Sequence, residues 1–369
     1  MRIDDVYILM KDGVFRRGSV DFNEKIKNIE LHEAGTKNAD YYLIPGLIDI
    51  HTHGAVNGDH SDGSDEMMLA MGEFYAKNGV TSFLATTMTY DEKKLSEAMR
   101  IIAEYKRPEK GAKCIGINME GPFLSYEKRG AHLPEALTNP DIAMFERLYN
   151  ISKKSIRLVS IAPELPGSID FISEISKKCK VSLAHSAANY DIATAAFSNG
   201  ATHVTHLFNA MNPFLHRDPG IIGAAKDAGA YVEIICDGIH SHPAVIRAVY
   251  YLFKDRICMI SDSIRSAGLP DGEYESGGMP ITVKDGKAIL SDGTIAGSNI
   301  SLMQGVRCAV NFGIPLAKAV MAATVNNARA IGMDDEIGSL KPGAAADMVV
   351  LDNQLSVKKV FINGKALNI

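Results

Sequence analysis

Short apolar runs alternate with amphipathic stretches of helical length through most of the chain. The runs are rich in Val, Ile, Leu and Met with little polar alternation, which is typical of parallel strands buried on both faces. Eight such runs can be read along the sequence: residues 42–50, 80–87, 114–119, 156–161, 181–184, 201–204, 231–236 and 257–260. The clearest helical stretches between and after them are residues 64–78, 91–105, 140–150, 168–178, 189–199 and 242–254.

Several of these helical stretches begin with a capping residue such as Ser64 or Asp91. Eight strand–helix units in a single stretch of chain favour a (β/α)8 TIM barrel over an open, doubly wound sheet. We assign residues 45–334 to this barrel.

The two chain ends follow a different pattern. Residues 1–44 contain short alternating segments that predict hairpins, and residues 335–369 contain two apolar segments and a turn at Asn363-Gly364. Neither end is long enough for a stable sheet of its own, so we expect both to join into one small β-sandwich beside the barrel. A further hairpin is predicted at residues 278–292.

Composition narrows the class of protein. The chain has 369 residues, is 46% hydrophobic and carries a net charge of −5, so it has no general basic surface for nucleic acid or an anionic membrane. We see no apolar run of the roughly 18 residues needed to cross a bilayer and no signal peptide. The five cysteines are scattered without CxxC spacing, which indicates reduced core thiols and a cytoplasmic location.

Six residues with metal-binding or proton-transferring side chains follow strand ends. His51 and His53 follow the first strand, Glu120 the third, His185 the fifth, His206 the sixth, and Asp262 ends the eighth. A barrel gathers the carboxyl ends of its strands on one face, so we expect all six to converge there. Imidazole and carboxylate ligands suit Zn²⁺ or Fe²⁺. The pattern therefore predicts a metal-dependent enzyme.

The other histidines do not share this placement. His32 and His60 are expected in solvated loops, and His203 is expected to pack within the sixth strand. His216 and His242 show no pattern that favours a site.

Several motifs give a more specific indication. They are residues 45–54 (Pro-Gly-Leu-Ile-Asp-Ile-His-Thr-His-Gly), 119–124 (Met-Glu-Gly-Pro-Phe-Leu), 129–132 (Arg-Gly-Ala-His), 162–164 (Ala-Pro-Glu), 205–211 (Thr-His-Leu-Phe-Asn-Ala-Met), 237–240 (Asp-Gly-Ile-His), 261–263 (Ser-Asp-Ser) and 296–298 (Ala-Gly-Ser). With them the chain resembles, nearly end to end, the N-acetylglucosamine-6-phosphate deacetylase family of the amidohydrolase superfamily.

The resemblance implies a ligand set. Glu120, His185 and His206 would be the main metal ligands, and His51 and His53 would hold a second ion bridged through Glu120. Some members of the family lack the His-x-His pair and use one ion. Both the number of ions per subunit, one or two, and their identity, Zn²⁺ or Fe²⁺, therefore stay open. No lysine ends the fourth strand, which departs from the carbamylated-lysine pattern of dihydroorotases.

The resemblance also implies a reaction and a substrate. The reaction is hydrolysis of the acetamide of N-acetylglucosamine 6-phosphate, with the ion lowering the pKa of water. Asp262 would move the proton from water to the departing amine, unless it is only a metal ligand, and His132 would be a second donor to the oxyanion. The implied substrate contacts are Ala131, Asn209, Ala210, Arg217, His240, Ile295, Ala296 and Gly297.

Some alternatives stay open at this point. Arg217 beside Asp218 could instead form a surface ion pair, and acceptance of N-acetylgalactosamine or mannosamine phosphates is undecided. Another amidohydrolase activity, on a cyclic amide or a nucleobase, would use the same metal face. An inactive barrel that serves as a scaffold is the alternative from another class. A homodimer is expected from the family resemblance.

Overall fold

Four strands at the start of the chain precede the barrel. The computed structural model describes residues 1–32 and 39–367, so residues 33–38 and 368–369 of the predicted end segments lie outside the described residues. The four strands are β1 (Arg2–Leu9), β2 (Phe15–Phe22), β3 (Ile26–Leu31) and β4 (Tyr41–Pro45).

Eight parallel strands then form the barrel, and their order in the sheet follows their order in the chain. They are β5 (Leu47–Thr52), β8 (Val80–Thr87), β9 (Lys113–Met119), β10 (Ile156–Ile161), β11 (Lys180–Leu183), β12 (His203–Val204), β13 (Tyr231–Ile235) and β14 (Ile257–Ile260). The two-residue strands β6 (Gly54–Ala55) and β7 (Gly58–Asp59) make a small hairpin after β5.

Helices separate the barrel strands and cover the sheet. They are α1 (Asp65–Lys77), α2 (Glu92–Glu104), α3 (Ile142–Ile151), α4 (Ser168–Ile175), α5 (Tyr190–Ser198), α6 (Gly220–Ala228) and α7 (Pro243–Phe253). Short 3₁₀ turns lie at His60–Asp62, Pro134–Ala136 and Lys254–Arg256. The side chains of Ser64 and Asp91 accept N–H bonds from the first turns of α1 and α2, as their capping positions predict.

A four-stranded antiparallel sheet follows the last barrel strand. Its strands are β15 (Gly272–Ser276), β16 (Met279–Lys284), β17 (Lys287–Ile289) and β18 (Ile295–Ser298). The hairpin predicted at residues 278–292 is therefore the middle of a larger sheet. Its apolar side chains pack with Ala131 and Ile264, so the sheet rests against the carboxyl-end face of the barrel.

Three helices and three strands complete the chain. They are α8 (Leu302–Asn311), α9 (Leu316–Ala322), α10 (Val325–Ala330), β19 (Met348–Asp352), β20 (Val357–Ile362) and β21 (Lys365–Leu367). Asn327 at the centre of α10 donates to the carbonyl oxygens of Ile48 and Met259 at 2.6 and 2.8 Å. This amide therefore ties the first and last barrel strands together below the carboxyl-end face.

The two chain ends share one seven-stranded sheet, in the order β21-β20-β19-β4-β1-β2-β3. Phe22 and Phe361, from the two halves of this sheet, meet edge to face at 5.1 Å in a common apolar core. An ion pair between Lys113 and Asp347, at 2.6 Å, joins the sheet to the barrel. The prediction of a barrel with a small β-domain built from both ends is confirmed.

Candidate active site

The carboxyl-end face of the barrel contains a cavity of about 400 Å³. The strand-end residues are predicted to meet on this face, and the cavity wall includes most of them. The predicted site residues that line it are His53, Glu120, Ala131, His132, His185, His206, Asn209, Ala210, His240, Asp262, Ile295, Ala296 and Gly297. His51 lies just below, fully buried.

The histidines and Glu120 form two groups that could each hold a metal ion. One is His51, His53 and Glu120, and the other is Glu120, His185 and His206. Within each group the donor atoms lie within 4.8 Å of one another, and all five residues are buried. Imidazole nitrogens and a carboxylate at this spacing match the ligands that Zn²⁺ or Fe²⁺ takes in proteins.

Glu120 divides its two carboxylate oxygens between the two groups. Its Oε2 lies 2.9 Å from His53 Nε2 and 3.3 Å from His51 Nε2. Its Oε1 lies 3.0 Å from His206 Nε2 and 3.3 Å from His185 Nε2. Each Glu120 oxygen could therefore serve as a ligand in one of the two groups.

The backbone turns sharply where these side chains enter the site. His185, His206 and Asp262 have φ angles of 45°, 25° and 49°. Non-glycine residues rarely adopt this left-handed region, which costs on the order of 1–3 kcal/mol each. The surrounding barrel must supply that energy, and the concentration of strained residues at strand ends is typical of functional sites.

Asp262 lies beside the His-x-His pair. Its Oδ1 is 3.4 Å from Nε2 of both His51 and His53, and its backbone N–H donates to the His51 carbonyl oxygen at 2.9 Å. Burial alone would raise the pKa of this carboxyl group, but His51 and His53 outweigh burial and lower it to about 2. Asp262 is therefore an ionised carboxylate, able to accept a proton.

The electrostatics of the site favour a bound cation. Burial disfavours a charged His51 ring, yet the carboxylates of Glu120, Glu233 and Asp262 raise its pKa well above the usual value. Three buried carboxylates thus require positive charge at this place. Divalent cations supply such charge in buried carboxylate–imidazole sites, so the residues present fit a metal ion.

His132 also lies beside Glu120, with its Nε2 3.6 Å from Glu120 Oε2. The backbone N–H of Thr89 donates to His132 Nδ1 at 3.3 Å, so the neutral ring carries its proton on Nε2. Burial and the nearby His185 lower the pKa of His132 to about 4. His132 therefore presents a neutral N–H donor to the cavity.

Arg217 differs from the other predicted substrate contacts. It is exposed on the segment between β12 and α6 and does not line the cavity. The cation on the cavity wall is Lys128, whose Nζ lies 3.3 Å from the exposed Glu127. The role of Arg217 in substrate recognition stays a prediction.

Two carboxylates that were not among the predicted site residues hold site histidines in place. Asp237 accepts from Nδ1 of His240 at 2.6 Å, and Glu233 accepts from Nδ1 of His51 at 2.9 Å. The sequence contains an indication of the role of Glu233, because it is the charged residue in the otherwise apolar run of residues 231–236.

The expectation that His60 is solvated is wrong. Its ring is buried, stacks on Phe83 at a centroid distance of 5.4 Å, and has Nε2 3.2 Å from the Tyr75 hydroxyl. Burial, reinforced by the charge of nearby His53, lowers the pKa of His60 to about 3. The 3₁₀ turn after β7 folds back against α1 and so encloses this residue. His203 is buried in strand β12, as predicted.

Comparisons with known proteins agree with this geometry. The model of the amidohydrolase family matches residues 42–367. The chain is 35% identical to an N-acetylglucosamine-6-phosphate deacetylase from Bacillus subtilis, over 98% of this chain and 96% of that protein. It is 36% identical to an N-acetylgalactosamine-6-phosphate deacetylase from Escherichia coli O157:H7, over 88% of this chain and 87% of that one.

A solved structure is similar over the full length. It is an N-acetyl-D-glucosamine-6-phosphate deacetylase from Mycobacterium smegmatis, an aspartate-to-alanine mutant in complex with N-acetyl-D-glucosamine-6-phosphate. The TM-score is 0.92 and the identity 32%, covering 100% of this chain and 99% of that chain.

Among the described residues, no helix is long and apolar enough to cross a membrane.

Proposed function

The chain belongs to the amidohydrolase family, and on that premise we propose that it hydrolyses the acetamide of N-acetyl-D-glucosamine 6-phosphate. The products are D-glucosamine 6-phosphate and acetate. Relatives that carry out hydrolytic deacetylation in amino-sugar metabolism are 33–36% identical to this chain over the aligned residues, which supports this activity. The observation that carries the proposal is the pair of ligand groups that share Glu120, with Asp262 beside them.

Five residues would hold the metal centre: His51, His53, Glu120, His185 and His206. A divalent cation in this centre supplies Lewis acidity, which acidifies the attacking water and polarises the amide carbonyl. We propose Zn²⁺ or Fe²⁺, because both take nitrogen and carboxylate ligands. Two ions per subunit agree with the use of both Glu120 oxygens.

Asp262 carries the proton through the reaction. Its carboxylate takes a proton from water as the water oxygen bonds to the acetamide carbon, and it then gives that proton to the amide nitrogen. The carbon–nitrogen bond breaks, and the sugar amine and acetate leave. One carboxylate serves both steps because the proton that it accepts first is the one that the leaving amine requires.

His132 donates its Nε2 proton to the oxygen that becomes negative in the transition state. We expect His132→Ala to lower kcat by roughly 10²- to 10³-fold with little change in KM, because the interaction forms only as charge develops. Steady-state acetate release measures both constants. His132→Gln keeps an N–H donor and should lose less, so equal losses in the two variants would argue against a donor role.

Arg217 and the cavity residues Asn209 and His240 are proposed to recognise the phosphate. Arg217→Ala should lower kcat/KM for the phosphorylated sugar by roughly 10- to 100-fold, as loss of a charged hydrogen bond does. Hydrolysis of N-acetylglucosamine without phosphate should be unchanged. Lys128→Ala is the matched comparison, because this cation lies on the cavity wall. An unchanged kcat/KM in Arg217→Ala would exclude Arg217 from the phosphate site.

N-acetylgalactosamine 6-phosphate is a second candidate substrate, because the Escherichia coli relative named for it is 36% identical to this chain. Acetate release from both sugar phosphates by the purified, metal-loaded protein tests the function directly. Failure to release acetate from either would overturn it. A homodimer in the cytoplasm completes the proposal, and sedimentation of the purified protein checks the dimer.

A further inference from the structure

Glu233 is a buried acidic residue with no part in the reaction steps above. It lies at the centre of β13, where its neighbours are apolar, and its side chain is fully buried. A lone carboxylate in such a place would be strongly unfavourable, so its partners must stabilise it.

Those partners are three N–H groups, one on β5 and two on or directly after β12. Glu233 Oε2 accepts from His51 Nδ1 at 2.9 Å and from the backbone N–H of His206 at 3.1 Å. Its other oxygen, Oε1, accepts from His203 Nε2 at 3.1 Å. The side chain therefore accepts from three N–H groups and leaves neither carboxylate oxygen without a partner.

The bond to His51 determines which of its ring nitrogens is free. Because Glu233 accepts the hydrogen bond from Nδ1–H, Nε2 is the ring nitrogen left to bind an ion, and it faces Glu120 and His53. Within the part of the chain that the structure describes, the Nδ1 atoms of His53 and His206 have no hydrogen-bond partner. His185 Nδ1 bonds the neutral carbonyl of Lys128 at 2.8 Å. Among the four ligand histidines described, His51 is thus the one whose Nδ1 is bonded to a carboxylate.

We propose that Glu233 is the positioning residue that makes the His51 and His53 group competent to hold an ion, an inference that rests on the proposed metal-dependent function. Glu233 orients the His51 ring, fixes its tautomer and raises the basicity of Nε2. It thereby decides whether the centre holds two ions or one. Glu233 is bonded to the neighbouring group of Glu120, His185 and His206 through the backbone N–H of His206 and not through a ligating side-chain nitrogen.

Metal binding tests this role without reference to the substrate. Wild-type protein, stripped by chelator and titrated with Zn²⁺, should bind two equivalents by calorimetry and by elemental analysis after dialysis. Glu233→Leu removes the acceptor, and we expect it to weaken the second equivalent by roughly 10- to 100-fold while the first stays. Glu233→Gln keeps an acceptor oxygen and should recover part of that affinity.

Asp237→Asn provides a matched control. Asp237 follows the same strand and accepts from His240 Nδ1 at 2.6 Å, so the substitution disrupts a carboxylate–imidazole pair that has no ligand in it. Both Zn²⁺ equivalents should bind to this variant as in the wild type. Loss of an equivalent here would show that the effect is not specific to Glu233, and would overturn the assignment.

A double variant keeps the test decisive if Glu233→Leu folds poorly. In His51→Leu/Glu233→Leu both members of the His51–Glu233 pair are apolar, which removes the unpaired His51 Nδ1, while His203 Nε2 and the His206 N–H lose their acceptor as they do in Glu233→Leu. If Glu233 acts through His51, this protein should bind the remaining Zn²⁺ with the affinity of His51→Leu alone. A further loss in the double variant, or two wild-type equivalents in Glu233→Leu, would overturn the inference. Acetate release by the wild type is measured separately, so its absence would overturn the proposed function and not the role of Glu233 in binding the ion.

Discussion

An Asp262→Asn variant is expected to lose roughly 10²- to 10⁴-fold in kcat, the range that positioned general acid–base groups contribute. The amide has nearly the shape of the carboxylate but cannot accept the proton of water. Because Oδ1 lies 3.4 Å from both His51 and His53, an isosteric residue should leave the ligand groups intact. Metal content and KM are therefore expected to change little.

The measurement is acetate release at saturating sugar phosphate, with metal content determined on the same sample. Asp170→Asn is a suitable control, since it makes the same chemical change on the exposed face of α4. Normal turnover by Asp262→Asn would refute proton transfer by Asp262. A loss of metal that accounts for the whole fall in kcat would instead make Asp262 a metal ligand only.

Glu120→Gln is the second substitution for which we expect a large loss of kcat, and here the loss should follow from weaker metal binding. Each Glu120 oxygen serves one ligand group, so neutralising the carboxylate weakens both at once. Loss of a residue that merely orients a ligand costs about 10- to 100-fold in affinity or activity. Removal of a ligand shared by both groups should exceed that range, with metal content and kcat falling together.

Elemental analysis and acetate release on the dialysed variant measure both effects. His53→Gln is the informative comparison, because it alters only the group that contains His51. The His53→Gln protein should keep the ion held by Glu120, His185 and His206. A Glu120→Gln protein that retained two equivalents of metal would contradict the bridging role.

The barrel and the convergence of the site could be predicted because both follow from local patterns. Buried parallel strands have continuous apolar runs, and strand order in the barrel follows chain order, so His51, Glu120, His206 and Asp262 had to meet on one face. The bounds of α1, predicted as residues 64–78 and observed as Asp65–Lys77, follow from the capping residue Ser64.

Other features depend on contacts between distant segments and could not be predicted in this way. The partner of His60 is Tyr75 on α1, and the partner of His51 is Glu233, 182 residues away. No periodicity along the chain encodes either pairing. Arg217 is implied as a substrate contact by the family resemblance; it is exposed and does not line the cavity, so its role in recognition stays a prediction.

The shared terminal sheet has a consequence for biosynthesis. Strand β4 pairs in parallel with β1 on one side and antiparallel with β19 on the other, and β19 begins roughly 300 residues later in the chain. At about 5–20 residues per second, a ribosome needs roughly 15–60 s to synthesise that intervening stretch. During that time one edge of β4 has no partner strand, and exposed edges invite pairing with other chains. The nascent chain therefore exposes an unpaired edge of β4 to other chains until β19 emerges and pairs with it.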